Sequence, residues 1–408
     1  MAAELQSKHV FREAFDPTIV TFTRPDHHYS YLHDEAGDWL ASHDGKTLSV
    51  QGFVDDAAIW DRVEYGFKHV TTGLVVEATS TATEQSCQLT FEGQSIANDG
   101  SLGDSGTFTV GHGPERLPSE YLAELKEQGW VGLSCVLSPS VVKGLQEVGC
   151  VDEFADRQPI RETPLAQHPA VTKASTEPIS LWLTREYMHT KDIRLGHSPG
   201  VSALPQDDGQ REVQGWHNDF PYLWGTGDRI PVPSGDLVLG MQRNTCVSDF
   251  TRENGATIFK LGSHTITNAP PEEWGISNHT YRRGHRAKFG LPYAGPDADL
   301  IEAPAGSIVL YDARTWHRAG FNMTENRRGA IIQAIVPSFI IPFMDCSGTY
   351  KRFLQSDAYN GVSEREKKEI DKLMVHRITG PAGLYAIGTD EELTQRVRSQ
   401  YQERMSAY

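Results

Sequence analysis

A chain of 408 residues with 38% hydrophobic and 23% charged residues has the balance of a globular protein, long enough for one large domain or two unequal ones. Its formal charge of −16 argues against non-specific partnership with nucleic acid or an anionic membrane, since both need a basic face. Five scattered cysteines without a C-x-x-C pair fit reduced thiols in a cytosol better than a disulfide framework.

Residues 1–8 lack the apolar core of a signal peptide, and no run approaches the ~20 apolar residues that span a bilayer. A cytoplasmic protein that crosses no membrane is therefore expected. Up to about residue 115 the chain is rich in Thr, Ser, Asp and Gly. It reads as a helix over 57–69, strands over 73–78 and 88–91, and a soft stretch over 98–106. No motif in this segment carries chemistry, which leaves a cap, a pocket wall or a surface for a homo-oligomer.

From Pro118 the signals sharpen. Ser119 is placed to cap a helix running to about 127, and 129–133 reads as a strand. Ser138 or Ser140 opens a second helix with Val141, Val142, Leu145 and Val148 at helical spacing. Beyond Pro178, short apolar runs alternate with Gly/Pro/Asn turns, as in an all-β sandwich or barrel. The clearest strands are 237–241, 256–261, 307–312 and 329–336, and helices over 363–374 and 390–405 end the chain.

The chemistry concentrates in Gln214-Gly215-Trp216-His217-Asn218-Asp219, followed by Trp316-His317 and Arg328. Residues two apart on a strand share a face, so His217 and Asp219 point the same way. With His317 they form the two-histidine, one-carboxylate set that binds iron and leaves positions open. Most isolated H-x-D pairs bind nothing, so the context decides. Arg328 opens the strand after His317, and its planar fork suits the carboxylate of a small acid. The alternative for Arg328 is a salt bridge to Glu302 or Glu325, and Arg327 is expected to face the other way. Gln214, three residues before His217, reaches the site only if Gly215 permits a bend.

Four motifs in order carry a family resemblance. They are 121–137, Gln214 to Asp219, 249–257 with Leu261-Gly262-Ser263-His264, and Trp316 to Asn322 with Arg327-Arg328. Together they resemble the phytanoyl-CoA dioxygenase family of Fe(II)/2-oxoglutarate-dependent dioxygenases over about residues 117–345. The resemblance implies a mainly β fold with flanking helices and a double-stranded β-helix (jelly-roll, cupin-like) core. It divides the chain into an N-terminal extension (1–116), the dioxygenase domain (117–345) and a C-terminal helical segment packing on the core (346–408). It further implies that His217, Asp219 and His317 hold Fe(2+), that Arg328 anchors 2-oxoglutarate and that Gln214 assists. O2 and a small-molecule substrate complete the reaction.

By the same analogy Asn254-Gly255 and Asn322 are turn residues and His264 is structural. Family members that halogenate replace the carboxylate ligand, so Asp219 favours oxygen insertion. Phe220, Tyr222 and Trp224 read as pocket-mouth or core residues. The stretch from His264 to Asp299, with Trp274, Arg282, Arg283 and Arg286, has the length of a lid. The rival reading is a cupin-like metal protein with no oxidative activity, and Arg328 is the feature that separates the two.

Overall fold

The computed structural model describes residues 17–78, 86–91, 93–97, 102–160, 163–208, 214–222, 237–268, 270–271, 274, 297–375, 377–380 and 383–386. Trp224, Arg282, Arg283, Arg286 and the helix expected over 390–405 lie outside the described residues.

In chain order the first strands are β1 (Thr18–Thr21), β2 (Ser30–His33), β3 (Trp39–Ala41), β4 (Thr47–Gln51) and β5 (Trp60–Val63). They are followed by β6 (Gly66–His69), β7 (Val75–Ala78), β8 (Ser86–Thr90), β9 (Ser95–Ile96) and β10 (Ser105–His112). The path β10-β8-β7-β6-β5-β2 closes on itself because β2 also pairs with β10, and β3, β4 and β9 extend from β2. This small barrel encloses Leu32, Trp60, Phe67, Val76, Leu89 and Phe108.

The helix expected over 57–69 is not formed. Asp55 caps a single 3-10 turn at Asp56–Ala58, and the chain then runs into the hairpin β5–β6. Ile59, Trp60, Val63 and Phe67 do fall at helical spacing, but the barrel buries Trp60 and Phe67 completely and that burial decides the conformation. The Trp60 indole donates to the Leu40 carbonyl at 2.9 Å and ties the hairpin to β3, one strand beyond its neighbour β2.

Next come α1 (Pro118–Gln128), β11 (Trp130–Leu133), α2 (Pro139–Gly149), the short helices α3 (Pro164–Gln167) and α4 (Pro169–Ser175), and α5 (Pro178–Tyr187). Ser119 does not cap α1. Its hydroxyl and amide both donate to the Asp56 carboxylate, at 2.5 and 2.8 Å, which ties the helix to the barrel. The carboxylate of Glu120 accepts from the Leu117 amide instead, at 2.9 Å.

The β texture begins later than Pro178. Glu177 accepts from the amides of Ile179 and Ser180, so the helix α5 starts there.

The jelly-roll strands that follow are β12 (Ile193–Leu195), β13 (Val201–Leu204), β14 (Met241–Cys246), β15 (Ile258–Lys260), β16 (Asp299–Glu302), β17 (Ile308–Asp312), β18 (Trp316–Arg318) and β19 (Arg328–Pro337). They build a mainly β jelly-roll of two facing sheets. The larger has the order β11-β17-β14-β19-β12, with β13 also on β19, and the smaller has β1-β16-β15-β18. β1 comes from the N-terminal segment and pairs in parallel with β16, so that segment supplies an edge of the jelly-roll.

The apolar run expected as a strand over 237–241 only leads into β14, whose residues are largely polar yet all buried. Arg243 makes that possible. It donates to Gln333, to the Ser180 hydroxyl at 3.0 Å and to the Ser175 carbonyl, filling the space between sheet and helices with satisfied bonds.

After β19 come α6 (Ser347–Leu354), α7 (Asp357–Asn360) and α8 (Glu364–Met374), the last opened by a Ser363–Glu366 capping box. One core cluster joins barrel residues Trp39 and Ile59, helix residues Leu125 and Leu181, sheet residues Leu310 and Ile335, and Ile370 of α8. Among the described residues, no helix is long and apolar enough to cross a membrane.

Candidate metal centre

The backbone brings the two histidines together before any ligand is considered. His217 and His317 form an isolated antiparallel bridge, with N–O distances of 3.0 and 2.9 Å in the two directions. The Asp219 amide donates to the Ala313 carbonyl at 2.9 Å, which holds the second half of the H-x-D segment along the same edge. β18, carrying His317, is fixed in turn by β15, where Phe259 lies opposite His317.

The side chains then converge. His217 Nδ1 lies 2.7 Å from the Gly215 carbonyl and His317 Nδ1 lies 3.0 Å from the Thr315 carbonyl. Protonation at Nδ1 satisfies both carbonyls and leaves each Nε2 lone pair free for a metal. Those Nε2 atoms approach Asp219 Oδ1 and Oδ2 at 3.6 and 3.0 Å. The three donor atoms lie within 4.8 Å of one another, the spacing of ligands around one ion.

Burial and then the neighbouring His317 push the His217 imidazole down to about 4, so it stays neutral. Burial resists ionisation of Asp219 and His317 alike. Their mutual attraction nonetheless holds the Asp219 carboxyl below its usual range and lifts the His317 imidazole above its own. A buried carboxylate among imidazoles is a site with a strong preference for a cation.

Two neighbours of this cluster gave no signal in the sequence. The Tyr311 side chain lies close enough to Asp219 for the carboxylate's charge to help burial keep its hydroxyl protonated, while its ring meets His317 edge-on at 5.2 Å. His197, in the turn after β12, adds its field at Asp219. Tyr311 sits in a strand that reads as apolar, and alternation alone marks it as facing opposite to Leu310. His197 stands in a Gly/Ser/Pro turn with no partner at a telling spacing.

Arg328 begins β19 and is 8% exposed. Its guanidinium stacks over Phe250 at 4.5 Å, and its Nε and Nη1 have no hydrogen-bond partner among the described residues. Burial pushes it down to about 10, which still leaves it charged at neutral pH. Glu302 accepts from the Arg252 amide at 2.8 Å and Glu325 is exposed, so neither forms the salt bridge weighed for Arg328. Arg327 does face away, donating to the carbonyls of Cys150 and Arg157 at 3.1 and 3.3 Å.

By alternation Arg328 shares its face with Ala330, Ile332 and Ala334. Ile332 is 40% exposed in the middle of this otherwise buried strand, so the inner face of the sheet is open there.

Gln214 is exposed, and its carbonyl accepts from the Ala319 amide at 3.1 Å. Phe220 is partly exposed and packs edge-on against Phe343 at 5.1 Å, whereas Tyr222 is buried and accepts from the Leu239 amide at 2.8 Å. Trp274 packs on Trp216 and Trp316, at 5.3 and 6.4 Å between ring centroids. Gly255 has φ +85° at a tight turn. The Asn322 amide spans the carbonyls of Leu204 and Asn326 at 2.9 and 2.6 Å, and Asn322 pairs with Asn254. His264 is buried against Gly129, where an added Cβ would approach its ring to 2.3 Å.

Residues 125–330, half of the chain, match the family model described as phytanoyl-CoA dioxygenase (PhyH). Among curated proteins, the dioxygenase af480 of Aspergillus fumigatus is 34% identical over 233 residues, covering 52% of this chain and 64% of that protein. The dioxygenase hkm4 of Aspergillus hancockii is 29% identical over 133 residues, 32% of this chain and 35% of that one. The chain thus spans less than two thirds of the length of either relative. Among solved structures, HygX from Streptomyces hygroscopicus with nickel and 2-oxoglutarate bound has a TM-score of 0.41 at 16% identity, covering 56% of this chain and 90% of that one. The epimerase SnoN in complex with Fe3+, alpha ketoglutarate and nogalamycin RO has a TM-score of 0.38 at 18% identity, covering 54% and 84%.

Proposed function

The chain belongs to the phytanoyl-CoA dioxygenase family, and on that premise we propose that it is an Fe(II)- and 2-oxoglutarate-dependent dioxygenase that hydroxylates a small-molecule metabolite in the cytoplasm. His217, Asp219 and His317 are the iron ligands, and Arg328 receives the distal carboxylate of 2-oxoglutarate, with Gln214 at the lip as a secondary contact. Iron, 2-oxoglutarate and O2 together supply the oxidising power that breaks a substrate C–H bond, with succinate and CO2 as coproducts.

The protein's own part is to place and to shield. The carbonyls of Gly215 and Thr315 fix both imidazoles in the ligating tautomer. Tyr311 stands beside the carboxylate as its polar neighbour. Phe259 and Tyr311 close the wall around His317 with apolar surface, which keeps water from the reacting centre.

The observation that carries this reading is the combination of a largely buried three-ligand cluster with a buried guanidinium whose Nε and Nη1 lack a hydrogen-bond partner among the described residues. A non-oxidative cupin has no use for that second feature. Adding Fe(II) and 2-oxoglutarate anaerobically is expected to give a visible metal-to-ligand charge-transfer band. Iron bound without that band would sink the proposal. Arg328→Ala should weaken 2-oxoglutarate roughly 100-fold, the value of two charge-assisted hydrogen bonds, and leave iron affinity nearly unchanged. Equal loss of both would remove Arg328 from its assigned role.

A further inference from the structure

A second orphaned guanidinium lies on the same inner face as Arg328. Arg194 is the central residue of β12 and stands opposite Val336 on β19. Its neighbours Ile193 and Leu195 belong to the main core, so alternation turns Arg194 to the face carrying Arg328, Ile332 and Ala334. It is 3% exposed. Its Nη1 makes one long hydrogen bond to the Ser338 carbonyl at 3.4 Å, and its Nε and Nη2 have no hydrogen-bond partner among the described residues.

Among the described residues, the ionisable group that acts on it is the Cys346 thiol, which burial pushes up and keeps protonated, so it brings no countercharge. A buried cation without a counter-ion is destabilising by several kcal/mol unless something outside the protein neutralises it.

Its position gives the missing partner a place. Gly196, two residues further along, donates to the Ala334 carbonyl at 2.8 Å, and His197 then contributes to the field at Asp219. Arg194 is therefore one pleat repeat, about 7 Å, beyond the level of Ala334. Arg328 begins the strand roughly 26 Å from the level of Arg194, too far for one 2-oxoglutarate to touch both.

Apolar rings stand between the β12 turn and the metal cluster. The segment after β19 folds over β12, with the Ser338 amide donating to Asp192 at 2.8 Å and the Met344 amide to Gly196 at 3.2 Å. It leaves Phe339 62%, Ile341 71% and Phe343 52% exposed. Phe343 contacts both His197 and Phe220, the residue next to Asp219, with ring centroids 5.2 and 5.1 Å apart.

We propose that Arg194 anchors an anionic group, a carboxylate or a phosphate, on an otherwise apolar substrate whose body lies over Phe220 and Phe343. The inference rests on the dioxygenase reading for the substrate's fate, but binding at Arg194 requires neither iron nor 2-oxoglutarate.

Calorimetry on the metal-free protein tests it with dodecanoate, dodecyl phosphate and dodecanol as probes. At least one anion is expected to bind about tenfold or more tighter than dodecanol, the carboxylate and phosphate arms showing which headgroup fits. Arg194→Met should abolish that preference, and Arg194→Lys should retain part of it. Arg194→Met should melt no lower than the parent, because it removes an uncompensated buried charge.

Equal anion affinity in the parent and in Arg194→Met would overturn the proposal, as would no preference over dodecanol in the parent. Loss of the preference in Arg328→Ala instead would place the anion at the wrong end of the sheet and overturn it too. A parent that keeps the Arg194-dependent preference but shows no charge-transfer band would leave this site standing and refute only the dioxygenase reading.

Discussion

Asp219 is held by three different groups, and each has a separate physical job. The imidazoles of His217 and His317 stabilise its charge, and Tyr311 stands beside it as a polar neighbour. Removing the hydroxyl leaves the ring packing against His317 intact but takes a polar neighbour from the carboxylate. Tyr311→Phe is therefore expected to weaken Fe(II) binding about 10- to 100-fold, the usual range for losing a partner of a metal ligand. Competition with a chromogenic chelator measures it, and unchanged affinity would show that the bridge at His217 and His317 alone fixes the geometry. The metal set was legible in the sequence because period-two alternation forces His217 and Asp219 to one face. Arg328 was legible because it opens the strand after His317. Tyr311 and His197 were not, because a tyrosine in an apolar strand and a histidine in a turn have no spacing that marks them.

Among the elements, α8 shows how the C-terminal segment is fastened. Ile370, Leu373 and Met374 enter the main core, and beside them Glu369 pairs with Arg185 of α5. Burial works against the Glu369 carboxylate, but Arg185 and then Lys372 hold it below its ordinary 4.5. A depressed folded value means the pair stabilises the protein fully above the unfolded value and stops doing so as pH falls through the folded one. Glu369→Gln should thus cost about 3 kcal/mol at neutral pH, as for breaking a largely buried pair. The midpoints of the two proteins should converge as pH falls below 4.5, and denaturation curves across that range would test it. Parallel curves at all pH values would show that the pair contributes nothing. The same scale explains the misread elements. Residues 57–69 satisfy a helical period and a barrel hairpin equally well, and only the distant strands that bury Trp60 and Phe67 choose between them. β14 gives no apolar pattern because its buried Arg243 is satisfied by Gln333, Ser175 and Ser180, all far away in sequence.

At the scale of the whole molecule, the chain threads back and forth between its two β-structures. It begins in the jelly-roll as β1 beside β16, builds the barrel from β2 to β10, and returns to the jelly-roll at β11. Trp39 and Ile59 of the barrel then share one core with Leu181, Ile335 and Ile370. Arg365 of α8 lies over the Trp39 ring at 5.3 Å, and Asp56 holds both donors of Ser119. Unfolding the barrel alone would strip apolar cover from α1, α5 and α8, so the two parts should unfold together. A ligand at the metal cluster stabilises whatever unfolds with that cluster. At a hundred times its dissociation constant, that linkage is worth about 2.7 kcal/mol. Adding Fe(II) and 2-oxoglutarate anaerobically should therefore slow hydrogen exchange in β5 and β6 of the barrel by the same factor as in β14 of the jelly-roll. Slowing confined to the jelly-roll would show two independently unfolding bodies that merely touch, and the N-terminal segment would then be a separable module.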